Sequence, residues 1–117
     1  MFSVSKNNVI TITRGDFVTT TIYLNIGSLL DPDRYTLTDT DILYIGVMEY
    51  GQRFEDALIK YRLTSDNLNE NGDVVWNIES LDTEYLEPGK YFYTIKLVQD
   101  GGRTSTVVPN TEFYIQD

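Results

Sequence analysis

The chain has 117 residues, eighteen Asp and Glu against nine Lys and Arg for a formal charge of -9, and neither cysteine nor histidine. That length suits one domain, which buries roughly two-thirds of its extended-chain surface without a covalent staple. The missing cysteines exclude disulfides and thiolate metal sites, the missing histidines remove the usual general base, and the acidic balance disfavours phosphate backbones and anionic lipid, so neither nucleic acid nor a membrane is an expected partner.

The opening residues, MFSVSKNNVI, have neither a basic start nor an apolar signal core, and no segment approaches the ~20 apolar residues of a membrane helix. The expectation is a soluble protein made in the cytoplasm without a signal peptide. Alternation of apolar and polar residues, rich in β-branched and aromatic types, then predicts strands at residues 2–5, 9–13, 17–25, 41–49, 57–64, 74–80, 90–99 and 104–115, the last interrupted by Pro109. Turn-forming strings separate them: KNN at 6–8, RGD at 14–16, DPD at 31–33, NENGD at 69–73, EPGK at 87–90 and DGGR at 100–103. A single helical turn fits residues 81–86. Seven to eight short strands at this spacing predict an all-β, immunoglobulin-like antiparallel β-sandwich spanning residues 1–117 as one domain.

Period two also assigns the core. Ile10, Ile12, Ile22, Leu24, Ile45, Val47, Ile59, Leu63, Trp76, Ile78, Tyr91, Tyr93, Ile95, Leu97, Phe113 and Ile115 fall on inward faces, while Thr11, Thr13, Thr19, Thr21, Lys60, Arg62, Asn77, Glu79 and Lys96 fall outward. Several of the nine tyrosines are expected at the core edge with hydroxyls on water or backbone. Tyr91, just after Pro88-Gly89 at a strand entrance, is placed to bond back across the corner.

Several strings invite functional readings. Arg14-Gly15-Asp16 has the composition of an adhesive tripeptide, but Gly takes positive φ and Asp bonds nearby amides, so a tight turn accounts for it. Asn67, Asn69, Asn71 and Gly72 occupy the first, third, fifth and sixth places of a calcium-loop pattern whose twelfth place needs a bidentate Glu; that place is Ile78, so no metal is expected. The acidic pairs Asp31 with Asp33 and Asp39 with Asp41 read as solvated turn residues. No catalytic or cofactor-binding residue is predicted: Asp39-Thr40-Asp41 and Asp82-Thr83-Glu84 lack the glycine of an aspartic-protease motif, and no Gly-rich phosphate loop is present.

Thr13-Arg14-Gly15-Asp16 after an early strand, then Leu43-Tyr44-Ile45-Gly46-Val47, then Asp82-Thr83 followed by Leu86-Glu87-Pro88-Gly89-Lys90-Tyr91-Phe92-Tyr93, resembles in order the amino-terminal immunoglobulin-like domain of tailed-phage upper baseplate proteins and related small gut-phage virion proteins. The resemblance implies a non-enzymatic attachment module in a virion, in the baseplate, the tail or as head decoration. Its partners would be other virion structural proteins, contacted in many copies on a ring or lattice. The candidate contact loops are then those of Arg14, Gly15 and Asp16 and of Asp100 and Arg103, with Tyr91 as a structural corner. A carbohydrate-binding sandwich is the alternative, with Tyr44, Tyr50, Phe54 or Tyr114 stacking on sugar rings.

Overall fold

The computed structural model describes residues 2–4, 8–28 and 30–117; Ser5, Lys6 and Asn7, and with them parts of the first expected strand and the KNN turn, lie outside the described residues. Ten strands occur among the described residues: β1 (Phe2–Val4), β2 (Ile10–Thr13), β3 (Val18–Ile22), β4 (Leu24–Gly27), β5 (Pro32–Arg34), β6 (Ile42–Met48), β7 (Ile59–Leu63), β8 (Val74–Ile78), β9 (Gly89–Gln99) and β10 (Arg103–Gln116). One short helix, α1 (Ser80–Glu84), stands where a helical turn was expected. The fold is all-β and sandwich-like: a five-stranded sheet ordered β2-β10-β9-β6-β7 faces β1-β4-β5 and the β3-β8 ribbon across one core.

The count exceeds the expected seven to eight for definite reasons. The run at 17–25 breaks at Tyr23, because its first half pairs with β8 (Ile22 opposite Val74) and its second with β1 (Leu24 opposite Val4). The DPD string is not only a turn. Asp31 N–H donates to the Ser28 carbonyl at 3.2 Å, and Pro32–Arg34 then pairs with β4 as an edge strand, where a missing N–H is tolerated. Nor does Pro109 end the last strand: β10 continues through it, with register shifts between Thr106 and Val108 and between Val108 and Thr111. Pairing is antiparallel except between β2 and β10, which run parallel.

Every inward residue expected in the core is buried except Ile10, which is half-buried, and Leu37, Leu43, Val74, Val107 and Val108 join them. At the entrance to β9 the Tyr91 hydroxyl donates to the Glu87 carbonyl at 2.6 Å, closing the corner around Pro88-Gly89. Two tyrosines find side-chain partners instead, since Tyr35 and Tyr61 donate to the carboxylates of Asp41 and Asp82.

Candidate interaction surfaces

Arg14-Gly15-Asp16 forms the β2–β3 turn. Asp16 N–H donates to the Thr13 carbonyl at 3.1 Å, Gly15 has φ +81°, and the Arg14 guanidinium meets the Asp117 carboxylate at 2.7 Å. The turn is moored to α1, for Gly15 N–H donates at 2.9 Å to the hydroxyl of Thr83, which is fully buried. The same short helix is moored to β7 as well: Asp82 Oδ2 accepts from the Tyr61 hydroxyl and from Glu79 N–H, each at 2.9 Å. With Asp82 and Thr83 turned inward, Leu81 and Tyr85 are left 71% and 84% exposed, and Phe17, just after the turn, 56% exposed. Asp16, Glu79, Glu84 and Glu87 are exposed on the same segments. This end of the sandwich is therefore apolar, acidic and rigidly held.

A Cβ at Gly15 would meet no atom within 4 Å, so the cost of a larger residue there is purely backbone. Gly15→Val should destabilise by about 1 kcal/mol through forced positive φ, and Arg14→Ala by much less, since its ion pair is exposed. Denaturation midpoints of the two variants check the turn reading; equal losses would contradict it.

Asp100 and Arg103 lie at the opposite end. Gln99 pairs with Arg103 at one end of β9, whereas Gly89 pairs with Ile115 at the other, beside the β2–β3 turn. An eleven-residue strand separates the two loops by roughly 30 Å, so they do not form one surface. Asp100 and Arg103 instead line a shallow hollow of about 210 Å³ with Tyr35, Thr38, Asp41 and Gln99. The expectation that Asp41 is solvated fails here. The residue is 2% exposed, and its Oδ2 accepts from Thr38 N–H at 2.9 Å and from the Tyr35 hydroxyl, which in turn accepts from Gln99. Burial, then the hydrogen bond and charge of Asp41, raise the Tyr35 pKa.

The Asn67–Asp73 loop spends its oxygens internally. Asn67 Oδ1 accepts from Thr64 N–H at 2.9 Å, and Asn69 Oδ1 from the N–H groups of Asn71 and Asp73 at 2.9 and 3.0 Å. The Arg34 guanidinium sits against the Asn71 carbonyl and, at 2.7 Å, the nearly buried Asp73 carboxylate, supplying the positive charge the loop faces. Among the described residues no group of three or more acidic side chains is arranged to hold a metal ion.

The outer face of the five-stranded sheet has a different character. Tyr44 on β6 stands between Arg62 of β7 and Lys96 of β9, and Gly46, the next outward position, stands beside Lys60. Phe54 folds from the β6–β7 connection onto Gly46, where a Cβ would come within 2.9 Å of its ring, and Lys96 Nζ lies 4.5 Å from the ring centroid. Tyr44, Phe54, Glu55, Lys60 and Tyr61 line a hollow of about 200 Å³. Farther along the face Tyr50, 89% exposed, tilts at 53° to Phe92 with centroids 6.1 Å apart. Where the sheets part between β2 and β3, a groove of about 320 Å³ reaches Ile12, Ile22, Trp76 and Tyr93.

No protein-family model matches the chain, and no curated protein matches it. Its functional reading rests on these surfaces and on the sequence resemblance.

Sequence reasoning named the β2–β3 turn but missed its neighbours. Leu81, Glu84 and Tyr85 are spaced three and four apart, the signature of one helical face, and that spacing in ESLDTEYLEPG was the available signal. Lys60, Arg62 and Lys96 were placed outward correctly, but that they adjoin Tyr44 depends on cross-strand register.

Proposed function

We propose that this chain is a non-enzymatic structural or adaptor component of a phage virion, of the baseplate, tail or head decoration, acting in the virion through protein–protein contacts. The carrying observation is the rigid end at which Phe17, Leu81 and Tyr85 stand exposed among carboxylates on segments tied down by Gly15–Thr83 and Tyr61–Asp82. Exposed apolar side chains on immobilised backbone lose little entropy when a partner covers them. Support for the immunoglobulin-like family comes from the parallel pairing of β2 with the last strand, the sheet order and the Tyr91 corner, all compatible with the motifs that carry the sequence resemblance.

Co-purification with washed virions, read by mass spectrometry, tests the proposal. The parent should be retained, and Leu81→Asp with Tyr85→Asp should cut incorporation about tenfold or more at an unchanged melting temperature. Absence of the parent from washed particles counts against it. Tyr50, projecting beside Phe92 with Glu49 and Asn110 lining the same hollow, favours the second reading of a carbohydrate-binding module, although the tilted rings offer no flat platform. Retention on a polysaccharide column with elution by free sugar would put that reading in place of the first.

A further inference from the structure

Two surfaces of this protein are opposite in charge and alike in carrying apolar anchors. On the outer face of the five-stranded sheet, Lys60 and Arg62 are exposed on the edge strand β7, with Lys96 two strands away across Tyr44. The ion pairs among the described residues use Arg14, Arg34, Arg53 and Lys90, and none uses Lys60, Arg62 or Lys96. A chain with twice as many acids as bases thus keeps three neighbouring cations without a carboxylate partner. Beside them lies the hollow of about 200 Å³ walled by Tyr44 and Phe54, a space that takes one large side chain. Glu55 is the one acidic residue among those that line it.

At the α1 end the pattern is inverted. Tyr85 and Leu81 project from a moored backbone, flanked by Glu84 and Glu87. Asp82 is bonded to Tyr61 on β7 and Thr83 to Gly15 in the β2–β3 turn, which holds this end in place, and no ion pair among the described residues joins Glu84 or Glu87 to Lys60, Arg62 or Lys96.

We infer that the basic, aromatic face of one copy receives the acidic, apolar α1 end of a second copy, with Tyr85 seated in the Tyr44–Phe54 hollow and Glu84 and Glu87 against Lys60, Arg62 and Lys96. Charge complementarity selects this occupant, and a buried aromatic anchor ringed by charges is the usual anatomy of such a contact. The contact is heterologous: each copy uses two different patches, so repetition produces a ring if the rotation closes and a filament if it does not. Two patches of about 800 Å² each take roughly a quarter of the 6944 Å² surface, and in an open row of copies the terminal one keeps its α1 end free for a different virion protein. The inference rests on the adaptor reading and specifies that copies associate with one another before or during docking.

Sedimentation of two charge-reversed forms tests it. The parent should self-associate with rising concentration at low salt, and the association should weaken as salt is added. Lys60→Glu with Arg62→Glu, and separately Glu84→Lys with Glu87→Lys, should each weaken it by about tenfold or more; all four positions are exposed, and melting temperatures confirm folding. An equimolar mixture of the two forms should associate again, because the reversed face meets the reversed end and the native face meets the native end. Tyr85→Ala should weaken association without altering charge. A parent that stays monomeric at millimolar concentration and low salt overturns the inference, as does a mixture no more associated than its components. Binding of an anionic polysaccharide that is lost with Lys60→Glu and Arg62→Glu, in a monomeric parent, would assign the face to a glycan instead. Self-association is read in purified protein and virion incorporation in washed particles, so failure of either is distinguishable from failure of the other.

Discussion

Trp76→Ala should cost about 3–5 kcal/mol, a large share of the stability of a domain this size. Trp76 is 1% exposed at the centre of an aromatic cluster: its ring lies 5.3 Å from that of Tyr61 at 72°, 5.6 Å from Tyr93 and 6.4 Å from Phe113. Removing the indole empties a space bounded by both sheets, and well-packed strands collapse into such a cavity only in part. The indole N–H is buried and makes no hydrogen bond among the described residues. Trp76→Phe, which deletes that donor and keeps most of the ring volume, should therefore cost less than half as much. Denaturation followed by circular dichroism measures both, and equal costs would refute the packing account. In the parent, fluorescence of the single tryptophan should be blue-shifted and move red in one cooperative step.

The second large effect should come from alkali. Burial pushes the Tyr93 pKa up to about 12. The Tyr61 pKa is also raised far above the ordinary value, by burial first and then by its hydrogen bond to Asp82 and the charge there. An unfolded tyrosine ionises near ~10 while the folded one holds its proton, so the unfolded state binds fewer protons above that pH and stability falls as pH rises. The contribution is intact below about pH 10 and is lost through about pH 12, roughly 2–3 kcal/mol from Tyr93 alone. Denaturant midpoints across this window should drop steeply. Tyr93→Phe and Tyr61→Phe should each flatten the slope, which separates the tyrosines from the general growth of negative charge. Tyr93→Phe should also lower stability at neutral pH, because its hydroxyl donates to the Asn8 carbonyl. A midpoint that does not move with pH, or slopes unchanged in both variants, would refute this assignment.

Much of the fold was legible because strand alternation has period two and burial on one face enforces it. Ile45 and Val47, Ile95 and Leu97, and Trp76 and Ile78 are inward in both the pattern and the structure. Tyr91 was legible for a related reason: Pro88-Gly89 sets the turn, and a tyrosine just beyond it can reach back to Glu87. The candidate surfaces were less visible. Arg14-Gly15-Asp16 drew attention as a familiar string, whereas the exposed side chains of its end, Leu81 and Tyr85, belong to a segment read only as a helical turn.

By itself the sequence determined the strand-forming runs, the faces they bury, the Gly15 turn and the lack of histidine and cysteine chemistry. Local sterics and alternation decide those matters within a few residues. Tertiary structure alone decided that residues 17–25 divide between two sheets at Tyr23, that Asp41 and Asp73 lie buried against Tyr35 and Arg34, and that Arg62, Tyr44 and Lys96 form one row. Each of these depends on which strand lies beside which and in what register, and a pattern of period two looks the same whichever neighbour the strand finds.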